Sequence, residues 1–205
     1  MALRGKTFWS GVLEEESARL LDAQVRKHDV EIIPEAHWQG VVGEKELIGC
    51  KTGKGDFDCD VLGIGVGIEP DFSWVKQAGV AVGDGIKTDA HLATNVPDVY
   101  AAGDIVEYED IIVGRHLRAG NWMSAMQQGR VAACNMLGKK ETFELVSSYA
   151  TNALGLEIIF VGDTSREHAD EIKIVGSAKE GGVTQLFVRG GRLVGATIIG
   201  RNKDR

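Results

Sequence analysis

The hydrophobic positions near the start of the chain repeat first with a helical period and then in short clusters. The helical stripe consists of Leu13, Leu20, Leu21 and Val25. Three glutamates precede most of this stripe, beginning at Glu14, and acidic side chains favour the first turn of a helix. The pattern therefore predicts a helix from about residue 14 to residue 27. A short strand is predicted over residues 30–33, and a small antiparallel sheet over residues 37–58.

A nearly unbroken apolar run occupies residues 59–67. A parallel strand that is covered on both faces has this pattern, so a buried parallel strand is predicted here. The glycines at its end, followed by Pro70, indicate a tight turn. A short helix over residues 72–80, ended by Gly79, and a strand over residues 85–89 are predicted next.

The segment at residues 94–104, with the sequence TNVPDVYAAGD, predicts a short buried strand that ends in a carboxylate. Its valines and Tyr100 favour a strand, and the small residues before Asp104 would let a ligand approach the backbone closely. An ionised Asp104 could accept hydrogen bonds from ligand hydroxyls. By residue type alone, a buried strand followed by an Asp cap or turn is the other interpretation. Residues 105–119 show no clear periodicity and are predicted to form a loop, with Arg115 and Arg118 as solvated charge.

A helix is predicted over residues 121–138. Asn121 is a favourable N-cap, and Gly138 is a typical helix end. One face of this helix would carry Trp122, Met126, Gly129, Ala133 and Met136. Such a stripe is typical of a packed core, and a surface next to a cofactor remains the alternative.

After residue 140 the pattern predicts strands, over residues 156–163 and 171–176 and in a hairpin over residues 185–200. Gly190 and Gly191 would form the two-residue turn of that hairpin. Together with the earlier helices and strands, this predicts a mixed α/β fold with a β-rich carboxyl-terminal domain.

The amino-acid composition argues against several classes of function. The apolar fraction of 43% and charged fraction of 26% indicate an ordinary globular protein. A net charge of −7 argues against a nucleic-acid partner, and no apolar run is long enough for a membrane span. The five histidines form no Cys/His cluster, so no metal site is predicted. The cysteines at Cys50, Cys59 and Cys134 lack paired spacing, which favours reduced thiols in a cytoplasmic protein.

The 94–104 segment resembles the second flavin fingerprint of the FAD- and NAD(P)H-dependent pyridine nucleotide-disulfide oxidoreductase superfamily, T-x-x-P-x-(I/V)-Y-A-x-G-D. The resemblance implies that Asp104, directly after Gly103, hydrogen-bonds the ribityl chain of FAD. Residues 65–71 are similar to the family segment G-x-G-x-x-P-N, with Asp71 in place of the usual Asn. The resemblance places this crossover, including Glu69, near the bound nicotinamide.

The helix over residues 121–138 is similar to the W-x-x-A-x-x-Q-G-x-x-A-A-x-N-x-x-G helix of ferredoxin- and rubredoxin-reductase-like flavoenzymes and of apoptosis-inducing-factor-like proteins. This resemblance implies that the helix begins at the flavin pyrimidine ring. Backbone N–H groups around Asn121, Trp122 and Met123 would then bind the C2 carbonyl, and the helix dipole would favour negative charge there. No general acid or base is identified.

Two dinucleotide fingerprints of the form G-x-G-x-x-G, expected upstream in the family, are absent from the chain, as is a redox C-x-x-x-x-C pair. We therefore expect the downstream portion of an FAD-dependent NAD(P)H oxidoreductase, inactive as this chain alone. Residues 1–72 would belong to the NAD(P)H domain, residues 73–140 to the FAD domain, and residues 141–205 to a β-rich interface domain. The expected partners are the upstream half, in the same protein or as a separate chain, and a redox protein. Self-association into a homo-oligomer is a further alternative. The alternative function, from a different functional class, is that of a non-catalytic binding module.

Overall fold

A computed structural model describes residues 1–200 of the chain. Within these residues the helices are α1 (Glu15–Arg26), α2 (Ser73–Gln77) and α3 (Trp122–Met136). The strands are β1 (Trp38–Val42), β2 (Gly49–Thr52), β3 (Gly55–Asp58), β4 (Ile86–Thr88), β5 (Val106–Asp110), β6 (Arg115–Leu117), β7 (Ser148–Ala153), β8 (Leu156–Gly162), β9 (Glu171–Ser177), β10 (Gly182–Arg189) and β11 (Arg192–Ile199). The chain is mixed α/β, as predicted, and forms two compact units.

Among the described residues, the first unit combines Met1–Gly67 with residues 150–200. Its main sheet has the strand order β7-β8-β11-β10-β9, and each of the pairs β8–β11, β11–β10 and β10–β9 is antiparallel. The amphipathic helix α1 buries Leu21 and Ala18 against Ile158, Phe160 and Ile199 of this sheet. The small antiparallel sheet predicted over residues 37–58 is confirmed as the three-stranded sheet β1-β2-β3.

The second unit, Ile68–Tyr149, holds the segment that carries the fingerprint. Strand β4 pairs parallel to β5, and β5 pairs antiparallel to β6. Helix α3 packs Val131 and Ala132 against Val106 and Tyr108 of β5. The Tyr108 ring also meets Phe143 edge to face, with ring centroids 4.9 Å apart. This packing fixes α3 next to the connection between β4 and β5.

The strand predicted over residues 59–67 is wrong for the structure. These residues have no regular secondary structure, and the side chains of Val61, Ile64 and Val66 are exposed. A parallel strand needs neighbouring strands to bond its backbone and helices to cover its faces. Within residues 1–200 no strand pairs with this segment, so its apolar residues stay in contact with solvent.

The predictions around the fingerprint also need correction. Residues 94–99 form a turn in which the Thr94 N–H donates to the Val99 carbonyl at 2.9 Å, and Tyr100 makes only an isolated bridge to Ala93. The regular strand begins at Val106, so the predicted 105–119 loop is wrong and is replaced by the β5–β6 hairpin. Alternating burial along β5 shows that a strand pattern is present there. Its charged outer positions hid that pattern in the sequence.

Helix α1, the short helix α2 and helix α3 are confirmed, and so are the strands predicted from residue 156 to residue 200, including the hairpin turn at Gly190 and Gly191. The strand predicted over residues 30–33 is reduced to a parallel bridge between Ile33 and Ala2. Strand β7 was not predicted. No helix among the described residues is long and apolar enough to cross a membrane.

Candidate functional site

The loop that precedes β5 is fastened to helix α3 at Gly103. The Gly103 N–H donates to the Oε1 of Gln128 at 2.7 Å, and the Gln128 Nε2 donates to the Ser124 hydroxyl at 3.2 Å. Gln128 and Ser124 are fully buried. The φ of Gly103 is +94°, and a β-carbon there would lie 3.8 Å from the Ala125 side chain. The positive φ therefore favours a glycine at this position, whereas the contact with Ala125 would be an ordinary van der Waals contact.

Asp104 follows directly, and its backbone is held while its carboxylate stays free. The exposed side chain of Arg118 donates from Nε to the Asp104 carbonyl at 2.9 Å and from Nη1 to the Asp84 carbonyl at 3.1 Å. A β-carbon built on Gly120 would lie 3.8 Å from the Asp104 carboxyl carbon, so the carboxyl group faces the residue that precedes the Asn121 N-cap of α3. Among the described residues, no donor bonds the Asp104 carboxylate.

Helix α3 begins at this carboxylate with an ordered cap. The Asn121 Oδ1 accepts a hydrogen bond from the Ser124 N–H at 2.9 Å, and the Asn121 Nδ2 donates to the Ser147 hydroxyl at 2.6 Å. This confirms the predicted N-cap. Within residues 1–200, the N–H groups of Trp122 and Met123 have no acceptor, and both side chains are exposed. The start of α3 therefore presents two free donors, and the Asp104 carboxylate faces Gly120, two residues before that helix.

Five of the six residues predicted for the site thus lie together: Gly103, Asp104, Asn121, Trp122 and Met123. Glu69, the sixth, is exposed in an irregular segment, and within residues 1–200 no hydrogen bond or ion pair joins it to the others. Nearby, Asp71 accepts hydrogen bonds from the N–H and the hydroxyl of Ser73, at 2.8 and 2.9 Å. These bonds, the backbone one first, lower the pKa of Asp71 below its usual value.

Sequence reasoning missed Gln128 and Ser124 and read Arg118 as solvated charge. A signal for the first two exists, because Asn121, Ser124, Gln128 and Asn135 recur at helical spacing without a single charged residue. A solvated helix face usually carries Lys or Glu, so a stripe made only of amides and a hydroxyl indicates buried hydrogen bonding. Nothing in the sequence distinguishes Arg118 from an ordinary surface arginine.

With this geometry established, comparison with known proteins identifies the family. The family model described as pyridine nucleotide-disulphide oxidoreductase matches residues 4–129, more than half of the chain. The chain belongs to this family. The match confirms the resemblance found in the fingerprint, and with it FAD and NAD(P)H as the cofactors that accompany the family.

Individual members of the oxidoreductase family resemble the chain at modest identity. The ferredoxin–NAD(+) reductase component of the anthranilate 1,2-dioxygenase system of Burkholderia cepacia is 29% identical over 161 residues, which cover 75% of this chain and 38% of the relative. Among solved structures, the covalent putidaredoxin reductase–putidaredoxin complex matches with a TM-score of 0.87 at 19% identity, covering 99% of this chain and 49% of that one. An FAD-dependent pyridine nucleotide-disulphide oxidoreductase from Desulfovibrio vulgaris matches with a TM-score of 0.82 at 22% identity, covering 99% and 53%.

These matches show which fold the chain has and how much of each matched protein it covers. At identities of 19% and 22%, the structural matches show that the fold is that of the family. The chain spans about half or less of the length of the proteins it matches. The residues at the start of α3 fit a flavin, because free N–H donors suit a ring carbonyl and a free carboxylate suits hydroxyl groups.

Proposed function

We propose that this chain is the downstream portion of an FAD-dependent NAD(P)H oxidoreductase that passes electrons to a protein or small acceptor. The observation that carries the proposal is the free Asp104 carboxylate facing Gly120 at the start of α3. The free N–H donors lie at the start of α3, close in the chain to the Gly120 that the carboxylate faces, and the Gly103–Asp104 loop is anchored by hydrogen bonds from Gln128 and Arg118. A preorganised set of this kind suits one ligand that carries both hydroxyls and carbonyls.

Each residue has a role in the proposal. Asp104 accepts hydrogen bonds from ribityl hydroxyls, and Gly103 leaves room for the ligand chain. The N–H groups of Trp122 and Met123, preceded by the Asn121 cap, bind the C2 carbonyl, and the helix dipole favours negative charge at that position. Glu69 lies on the crossover that approaches the nicotinamide. When bound, FAD supplies the electron-transfer chemistry, while these residues bind and orient it.

The proposed domain assignment follows the family. Residues 1–72 belong to the NAD(P)H domain, residues 73–140 to the FAD domain, and residues 141–205 to an interface domain. Two exposed apolar features support a complementary half, supplied by the same protein or by another chain. One is the 59–67 segment, which has strand composition but no strand neighbour among the described residues. The other is the outer face of α3, where Trp122 is 80% exposed. A large exposed apolar surface marks an interaction site.

The names of the matched proteins suggest the acceptor class. One is a ferredoxin–NAD(+) reductase component, and another was crystallised with putidaredoxin. By analogy, we propose that a small redox protein receives the electrons.

FAD titration tests the proposal. The chain alone, which lacks a glycine-rich phosphate turn, should quench FAD fluorescence weakly. After addition of the separately produced amino-terminal half of the Burkholderia cepacia reductase, quenching should become stoichiometric. Tight stoichiometric binding by the lone chain would contradict the fragment assignment. Absence of binding in the mixture, when the two halves co-elute on size exclusion, would contradict the flavin site.

A further inference from the structure

The β2–β3 hairpin brings together two cysteines that the sequence separates by eight residues. Cys50 lies opposite Phe57, and the register continues past Asp58, because the Cys59 N–H donates to the Ile48 carbonyl at 3.2 Å. Side chains alternate along a strand, so Cys59 projects on the same face as Phe57 and Cys50. The neighbouring Cys50 is among the groups that raise the pKa of Cys59, in agreement with this placement. Both cysteines are free and half-buried.

We propose that Cys50 and Cys59 form a reversible dithiol–disulfide site that reacts with low-molecular-weight disulfides. One thiolate attacks a sulfur of the small disulfide, forms a mixed disulfide and releases one small thiolate. The other cysteine loses its proton, attacks the mixed disulfide and displaces the second small thiolate. The protein loses two electrons and two protons, and the small disulfide gains them as two thiols.

Closure of this bond requires a small movement. Diagonal neighbours on paired strands have α-carbons about 7–8 Å apart, beyond the roughly 4.4–6.8 Å that a disulfide spans. Cys59 can make up the difference, since it follows the last residue of β3 and one hydrogen bond of 3.2 Å ties its backbone N–H to the sheet. Oxidation therefore draws the start of the exposed 59–67 segment toward β2, and reduction releases it.

The groups around Cys59 make its thiol slow to react. Desolvation raises the pKa of Cys59, and the neighbouring Cys50, Asp60 and Asp58 raise it further. A thiol that stays protonated resists direct oxidation by peroxide, since the thiolate is the reactive form. Thiol–disulfide exchange also requires the thiolate, so the raised pKa slows both reactions, and it is the nearness of the second thiol that favours closure of the disulfide.

Mass spectrometry of the full chain tests the site. After incubation with oxidised glutathione and acid quenching, we expect the intact mass to fall by two hydrogen atoms, with a non-reduced peptide linking Cys50 to Cys59. Cys134, which lies on α3, should carry only a glutathione adduct, and Cys134→Ser should leave closure unchanged. In Cys50→Ser, a glutathione adduct should persist on Cys59.

The rate supplies a second measurement. Because the folded hairpin raises the effective concentration of the second thiol, closure should be at least about tenfold faster in buffer than in urea. Stable glutathione adducts on both Cys50 and Cys59 without a linked peptide would overturn the proposal. So would a closure rate that urea leaves unchanged, because the folded hairpin would then contribute nothing.

Discussion

At the scale of single residues, the Asp104 carboxylate is a free group on a fixed backbone. Arg118 binds its carbonyl, and Gln128 binds the N–H of the preceding glycine, whereas no donor among the described residues binds the carboxylate. In the FAD-binding assembly, Asp104→Ala should weaken FAD binding by about 1.5–3 kcal/mol, or roughly 10- to 150-fold, because hydrogen bonds to a charged group are lost. Flavin absorbance per chain after gel filtration is the measurement.

A matched control for this substitution is Glu109→Ala, which removes an exposed carboxylate from β5 of the same unit. It should leave the flavin content unchanged. Equal flavin content in Asp104→Ala and Glu109→Ala would assign Asp104 a purely structural role.

Cys59 illustrates how neighbouring charge controls one thiol. Asp60 is among the groups that raise its pKa, so Asp60→Asn should lower that pKa. The thiolate fraction at any given pH then increases, and the alkylation curve shifts toward lower pH. The check is the iodoacetamide labelling rate of the Cys59 peptide against pH. Asp56→Asn is the control, because it makes the same charge change on β3 at a residue that is not among the groups acting on Cys59, and it should leave the alkylation curve unshifted. An unshifted curve in Asp60→Asn would show that the Asp60 charge does not raise the pKa of Cys59.

At the scale of elements, helix α3 differs from an ordinary surface helix because it buries polar side chains along with Val131 and Ala132. Its buried positions include Ser124, Gln128 and Asn135, whereas its Trp and Met side chains are exposed. The buried polar groups are matched by hydrogen bonds. Asn135 donates from Nδ2 to the carbonyls of His91 and Glu141, at 2.7 and 2.8 Å, and accepts from the Glu141 N–H at 2.5 Å. The Asn135 side chain therefore ties His91 and Glu141 to the last turn of α3.

Asn135→Ala should therefore lower the free energy of unfolding of the second unit by about 2–4 kcal/mol, since buried backbone groups lose their partners. Urea denaturation followed by tryptophan fluorescence measures the change. Asn152→Ala, which removes one exposed hydrogen bond to the Gly155 N–H, should cost less than about 1 kcal/mol. Similar losses in the two variants would show that the Asn135 bonds contribute little.

The elements also show what a sequence can reveal. Periodicity predicted α1 and the carboxyl-terminal strands because each buries its own apolar face inside the chain. The bounds of α3 were predicted from its cap residues, but the face expected to pack in a core, with Trp122, Met126 and Met136, is exposed. Periodicity failed at residues 59–67, whose composition requires neighbours that the described residues do not supply, and at β5, where alternating Glu residues masked a strand. The candidate site was found through the resemblance of residues 94–104 and 121–138 to family motifs, since the residue types alone also allowed a strand followed by an Asp cap or turn. Gln128 and Arg118 were not found, because their partners are set by the tertiary fold.

At the scale of the whole molecule, the apolar surface left exposed on α3 and along residues 59–67 leads to a test of assembly. Met136→Lys places a charge on the exposed α3 face, where Met136 is 61% exposed. Folding of the lone chain should be little affected, because the residue already contacts solvent. Association with a complementary half should weaken, since a buried lysine would lack a partner. Thr142→Lys, an exposed substitution just beyond the helix, is the control, and co-elution of the two halves is the measurement.

The same reasoning predicts how activity depends on assembly. The chain alone, even with FAD and an artificial acceptor, should not oxidise NADH or NADPH above background. Positioning the reactants is worth about 7–11 kcal/mol of a barrier in favourable cases, and the residues that position nicotinamide phosphates lie in a βαβ unit whose fingerprint this chain lacks. Absorbance loss of the nicotinamide, with and without a complementary half, is the assay. Turnover by the lone chain that disappears in Asp104→Ala would refute the fragment assignment. Turnover that requires both halves and is reduced by Met136→Lys would place the junction on α3.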